Sequence, residues 1–167
     1  IEDIIPAVYE VGKMPFIVVL DRITDVRNFG AIARTCECAG VDAIVIPAKG
    51  GVSITSDAVK TSSGALLSIP VCRENNLYEM LQFLADSGIK LIAATEKGEK
   101  NYTAIDFNEP TAIILGSEDE GISPELLQLC NEKVQIPIFG TISSLNVSVA
   151  AGILIYEVIR QREQKNQ

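Results

Sequence analysis

Apolar residues in this chain fall in short blocks, separated by polar stretches that hold most of its glycines and charges. The blocks Phe16–Leu20, Ala43–Pro47, Leu66–Val71, Lys90–Thr95, Thr111–Gly116 and Lys133–Ile138 read as strands. They are rich in Val and Ile and lack clean alternation, the pattern of strands covered on both faces. Between them the apolar spacing lengthens to that of a helix. Ala31–Ala39 carries Ile32, Cys36 and Ala39 on one face, and Leu77–Ala85 carries Leu77, Met80, Leu81 and Leu84. Pro124–Leu129 follows Ser123, a good N-cap residue, with Pro at the first helical position. A long helix runs from Asn146 to Arg162. Strands alternating with helices predict an α/β domain built on a mostly parallel sheet flanked by helices.

The last helix carries more apolar surface than a terminal helix of a small domain needs. Val147, Ala150, Ala151, Leu154 and Val158 form one stripe, and Val149, Ile153 and Ile155 form others, so it is apolar nearly all round until Arg160. One face would suffice for burial in the monomer. The surplus is read either as deep burial within the monomer or, as the preferred reading, as a second face packing on another copy of the chain. Leu154 and Val158 are then the positions where a charge should split the dimer.

Composition narrows the chemistry. With 167 residues, 47% hydrophobic and 22% charged, the chain suits one folded domain. No apolar run reaches the roughly 18 residues of a membrane span, and no basic segment precedes the first apolar residues, so no signal peptide or membrane association is expected. The four cysteines, Cys36, Cys38, Cys72 and Cys130, show no CxxC spacing. Reduced, packed thiols in the cytoplasm are the expectation. Histidine is absent altogether, which removes Ser-His-Asp and Cys-His mechanisms and histidine-bearing zinc sites. The net charge of −8 runs against a nucleic-acid partner. The charge is uneven, however: Arg22, Arg27 and Arg34 lie close together, while Glu118, Asp119, Glu120 and Glu125 crowd elsewhere. A local basic site on an acidic body remains open.

In a parallel α/β domain the site lies at the carboxyl ends of the strands, and three loops there stand out. The first, Leu20 to Thr35, is not a GxGxxG fingerprint. Asn28 is placed to cap the helix after it, Gly30 permits close backbone approach, and three arginines around one helix start make a better phosphate site than any alone. The second, Ile114 to Ser123, runs from an apolar strand into Gly116-Ser117 and then Glu118, Asp119 and Glu120. Glu118, nearest the strand end, suits holding an arginine or accepting bonds from a ligand. The third, Ile136 to Ala151, ends a strand in Gly, Ser and Thr before the final helix, and Ser144 is a candidate cap for it.

Together these loops resemble the three signature motifs of the SpoU/TrmH family of SPOUT methyltransferases. Asp25-Val26-Arg27-Asn28-Phe29-Gly30-Ala31-Ile32-Ala33-Arg34-Thr35 is similar to the first. Leu115-Gly116-Ser117-Glu118-Asp119-Glu120-Gly121 is similar to the second. Ile136-Pro137-Ile138 with Ser144-Leu145-Asn146-Val147-Ser148-Val149-Ala150 is similar to the third. Ser62-Ser63-Gly64-Ala65 also suits the family, and Val26 stands where the family often has Pro. The resemblance runs from about Pro15 to Arg162. It implies a deep C-terminal trefoil knot, an exception to the rule that chains avoid knots. It also implies a homodimer through the last helix and knot, with catalysis of methyl transfer to an RNA ribose 2'-hydroxyl. S-adenosylmethionine would be the cofactor, with no metal, held at Thr95, Leu115, Gly116, Ile136 and Leu145. Arg34 matches the catalytic arginine, with Asn28, Glu118, Ser144 and Asn146 around it, and Arg22, Arg27 and Arg34 would meet RNA.

An arginine is a poor general base because its pKa exceeds about 12. Arg34 is therefore read as orienting the nucleophile and stabilising negative charge on its oxygen. Residues 1–14 read as a linker from an N-terminal RNA-binding domain, and 15–167 as the catalytic domain. The favoured substrate is a guanosine of 23S ribosomal RNA. The alternatives are a transfer-RNA guanosine, or a non-catalytic RNA-binding scaffold of the same fold. A nucleotide-binding α/β domain of another kind would leave Arg34 without a role.

Overall fold

The computed structural model describes residues 1–165; Asn166 and Gln167, the end of the expected domain, lie outside the described residues. Within the described residues, seven strands form one sheet: β1 (Phe16–Asp21), β2 (Ala43–Pro47), β3 (Val71–Glu74), β4 (Lys90–Ala94), β5 (Lys100–Asn101), β6 (Thr111–Gly116) and β7 (Glu132–Gln135). Their order is β3-β2-β1-β6-β4-β7-β5, and every pairing in it is parallel. The β1–β6 register sets Asp21 opposite Gly116, so two of the expected site loops leave the sheet side by side. Among the described residues, six α-helices accompany it: α1 (Ile4–Glu10), α2 (Val26–Cys38), α3 (Ser56–Thr61), α4 (Leu77–Asp86), α5 (Pro124–Leu129) and α6 (Val147–Lys165).

Alternate residues of the central strands enter two separate cores. Phe16, Val18 and Leu20 of β1, with Ile113 and Leu115 of β6, pack beneath α2, α3 and α6. Ile17, Val19, Ile114 and Ala112 pack on the other face against α1, α4 and α5. This double covering explains why the strands show no polar alternation. Ile4–Glu10, within the segment read as a linker, is helical and buries Ile5 and Val8.

Several element boundaries need correction. The expected strand Leu66–Val71 is a 3-10 turn at Ala65–Leu67 followed by β3 from Val71; Leu67 is 79% exposed, and Pro70 has no N–H to give a ladder. The expected strand Lys133–Ile138 pairs only through Gln135, just ahead of Pro137. The helix expected from Ala31 begins at Val26, because Asp25 caps it: Asn28 N–H donates to the Asp25 carboxylate at 2.9 Å. Asn28 is therefore inside the helix and is not its cap. Gly30 serves helix packing, since a Cβ there would meet Thr61 Cβ of α3 at 2.7 Å. The cap of α6 is Asn146 rather than Ser144; its side-chain oxygen accepts from Ser148 N–H at 2.9 Å and Val149 N–H at 3.4 Å.

The apolar stripe of α6 is settled by burial. Val147, Ala151, Leu154, Ile155 and Val158 are buried within the subunit. Leu154 and Val158 therefore belong to the monomer core and are not surface positions. The face left open carries Val149 at 51% exposure and Tyr156 at 50%. Farther along α6, Gln161 bonds Phe107 N–H and the Ile105 carbonyl. Arg162 donates to the carbonyls of Met14, Pro15, Phe107 and Glu109, and its guanidinium lies 5.2 Å from the Phe16 ring centroid. Burial pushes its pKa down from the usual arginine value.

Candidate functional site

The third loop and the β4 and β6 strand ends enclose a cavity of about 430 Å³. Ala94 to Lys97 leave β4, Leu115 to Ile122 leave β6, and Ile136 and Ile138 follow β7. Ser143, Ser144 and Leu145 form a further wall, and Val147, Ala150 and Leu154 of α6 close the cavity behind. Strand ends gather here because the sheet is parallel and each chain segment must turn at the same edge. The walls mix apolar side chains with loop main chain that the ladder no longer pairs.

Thr95, Leu115, Gly116, Ile136 and Leu145, the residues expected to hold a cofactor, all line this cavity, as do Glu118 and Ser144. Beside it, Asn146 Nδ2 donates to Asn28 Oδ1 at 3.0 Å and to Glu118 Oε1 at 3.2 Å. The same Glu118 oxygen accepts Val147 N–H at 3.4 Å. A carboxylate at the first turn of α6 meets both unpaired amides and the positive end of the helix dipole. Asn28, Glu118 and Asn146, distant in sequence, thus form one hydrogen-bonded cluster at the start of α6.

The three arginines differ in their surroundings. Arg27 and Arg34 lie on α2, exposed and outside the cavity lining. Six helical residues place Arg34 about 9 Å along the axis from Asn28. Arg22 is engaged by the protein itself: its guanidinium pairs with Glu120 and donates to the Gly121 carbonyl at 3.2 Å. Sequence reasoning missed Asp21, which is buried and accepts from Ser123 N–H at 2.7 Å and Ser123 Oγ–H at 2.6 Å. Ser123 was expected to cap α5, but its hydroxyl is turned to Asp21. The signal available was an acid closing an otherwise apolar strand. Glu96 and Lys97 were also missed, and both line the cavity.

Thiols add nothing to the site. Burial pushes the Cys36 thiol far above its ordinary value and Cys130 up to about 11, so neither is a ready nucleophile. Among the described residues, no group of three or more His, Cys, Asp or Glu is placed to hold a metal, and no helix is long and apolar enough to cross a membrane.

Comparison with known proteins agrees with this architecture. The chain is 36% identical over 162 residues to a putative TrmH family tRNA/rRNA methyltransferase, YacO, of Bacillus subtilis, covering 97% of this chain and 65% of that protein. It is 34% identical over 164 residues to the 23S rRNA (guanosine-2'-O-)-methyltransferase RlmB of Yersinia pestis, covering 98% and 67% respectively. The crystal structure of the SpoU methyltransferase AviRb from Streptomyces viridochromogenes, in complex with the cofactor AdoMet, superposes with a TM-score of 0.85 at 29% identity, covering 90% of this chain and 62% of that one. The chain thus spans just under two thirds of the length of the Bacillus relative. The family described as SpoU rRNA Methylase matches residues 15–156, a span that contains the sheet's β1 to β7, the cavity and the Asn28–Glu118–Asn146 cluster, and this chain belongs to that family.

Proposed function

We propose that the chain transfers a methyl group from S-adenosylmethionine to a ribose 2'-hydroxyl of RNA, with a guanosine of 23S ribosomal RNA as the favoured target. The observation that carries this reading is the cavity of about 430 Å³ with the Asn28–Glu118–Asn146 cluster beside it. Its size falls within the roughly 300–1,000 Å³ of small-molecule sites. The residues suit the cofactor. Leu115, Ile136 and Leu145 offer apolar walls for a purine, the main chain at three strand ends offers donors and acceptors, and Glu96 and Glu118 offer negative charge to a cationic ligand. When bound, the cofactor supplies a methyl group on a good leaving group.

The rest falls to the chain's own side chains. Transfer needs the nucleophile held in line more than it needs a strong base. Glu118 is fixed by Asn146 and the Val147 amide, so the cluster is a pre-ordered polar surface against which a ribose can be set. Arg34 is exposed and outside the cavity lining, which supports a role toward RNA rather than toward the cofactor. Its guanidinium would stabilise negative charge on the 2'-oxygen, with Arg27 on phosphate. Ser144, on the cavity wall, adds a hydroxyl near the reacting groups.

The fuller reading includes the trefoil knot and a homodimer across the open face of α6, working in the cytoplasm where ribosomal RNA is found. The TrmH family likeness keeps transfer RNA as the second substrate to assay, since the Bacillus relative carries both in its name. Calorimetric titration of S-adenosylmethionine and S-adenosylhomocysteine, followed by methylation of 23S and transfer RNA, tests the proposal. Saturable binding at about one site per chain, with methyl appearing on a ribose, is expected. Folded protein that binds neither ligand would remove the cofactor assignment.

A further inference from the structure

We propose that Asp21, Arg22 and Ser123 form a clasp that fixes the cofactor wall, making them positioning residues for methyl-donor binding; the inference rests on the cofactor reading above. Asp21 ends β1 with its side chain almost wholly buried, at 3% residue exposure. Burying a carboxylate is unfavourable unless it is fully engaged. One Asp21 oxygen takes both the Ser123 N–H at 2.7 Å and the Ser123 hydroxyl at 2.6 Å, and the other lies 3.6 Å from Arg22 Nε.

Local preference is overridden at three points around this group. Ser123 sits at the start of α5 but gives its hydroxyl to Asp21 and makes no cap bond to the helix. Arg22 takes a left-handed φ of 58°, a conformation that residues with a Cβ rarely hold without outside support. That turn brings its guanidinium onto the Gly121 carbonyl and Glu120. Arg22 Nε is buried without a hydrogen-bond partner.

The Ser123 bonds to Asp21 and the Arg22 guanidinium contacts all fall on one stretch, the turn from Gly116 to Ser123. Its near end is fixed by the β1–β6 register, which sets Gly116 opposite Asp21. The clasp fixes the far end. The two ends touch: a Cβ on Gly116 would come within 2.1 Å of the Gly121 carbonyl carbon. Between them, Ser117 to Ile122 form the cavity wall, and Glu118 reaches Asn146 and the start of α6. Asp21 and Arg22 do not line the cavity themselves. Their effect on the cofactor passes through the turn they hold.

The test is calorimetric titration of S-adenosylhomocysteine, well below the melting temperature, into the wild-type chain and four variants whose folding is checked by circular dichroism. Asp21→Asn and Ser123→Ala are expected to raise Kd about tenfold or more, and Ser123→Thr to stay near wild type, since a first-contact site depends on its supports. Arg22→Gly relieves the left-handed backbone while removing the guanidinium. It is expected to keep or raise Tm yet still weaken binding, a pairing that a purely structural role would not produce. Asp21→Asn, Ser123→Ala and Arg22→Gly all binding within about twofold of wild type would overturn the clasp, whatever their Tm. A folded wild type that binds no S-adenosylhomocysteine would overturn the cofactor reading itself, and the clasp's role with it.

Discussion

Gly116 stands where a methyl group has no room. A Cβ would lie 2.1 Å from the Gly121 carbonyl carbon and 2.3 Å from Ile122 N, both main-chain atoms that cannot swing aside. Gly116→Ala must therefore push apart the two ends of the cavity turn. Overpacking of this kind costs about 1–3 kcal/mol. Urea denaturation should report a loss of at least that size, accompanied by weaker cofactor binding. Arg34 is the opposite case. It is exposed, and among the described residues it makes no hydrogen bond or ion pair, so Arg34→Ala should leave the melting temperature near wild type. Removing a group that stabilises transition-state charge typically costs about 10²–10³-fold in rate. A methylation assay showing full activity in this variant would end the catalytic assignment. At this scale the three motifs carried the family resemblance, and Thr95, Leu115, Gly116, Ile136 and Leu145, which that resemblance implied for the cofactor, all line one cavity. Partners across a hundred residues of chain were hidden. Nothing local in Asp21 or Ser123 announces that they bond each other.

Among the elements, β1, β2 and β6 were legible because both faces are buried and each carries a run of at least four apolar residues. The strand β5 has two residues and both are exposed, so no pattern could mark it. The start of α2 was misread by five residues, and two caps were misassigned where capping residue types competed: Asp25 caps α2 rather than Asn28, and Asn146 caps α6 rather than Ser144. The C-terminal half of α6 supplies a pH test. Glu157 is buried and bonds Arg160 at 2.7 and 2.8 Å and Gln161 at 2.8 Å. The Arg160 hydrogen bonds hold its carboxyl below the ordinary value of 4.5, against the opposing effect of burial. The unfolded chain then binds more protons than the folded one in this range. Glu157's contribution is complete above about pH 5 and is lost as pH falls from 4.5 through the lowered folded value. Glu157→Gln should be less stable at neutral pH and should show a shallower loss of Tm below pH 4.5. A parallel acid profile for the two proteins would assign the pH dependence elsewhere.

For the molecule as a whole, half of the exposed large apolar side chains among the described residues, from Ile138 to Tyr156, fall in the last quarter of the chain. Phe139 is 97% exposed and Ile142 77%, and Val149 and Tyr156 follow on the outer face of α6. Large apolar side chains held in water within one segment mark an interaction surface more readily than scattered ones do. The sequence showed that α6 was apolar on more than one side, but not which side faces the sheet. Charging Leu154 or Val158, the residues singled out by periodicity, would unfold the subunit before it told anything about assembly, because both are buried in the core. Val149→Glu and Tyr156→Glu address the open face instead. Neither removes a core contact, so each should keep a cooperative melt, and if the homodimer proposed above uses this face, sedimentation should shift from dimer to monomer. The open face also lies next to the cavity, since Ile138, Leu145 and Ala150 line it while Phe139, Ile142 and Val149 lie between them in sequence. A dimer built here would lie beside the site. The monomeric variants should then lose methylation activity along with the partner. If they sediment as wild type does, α6 is not the interface, and the apolar segment 138–149 needs another occupant.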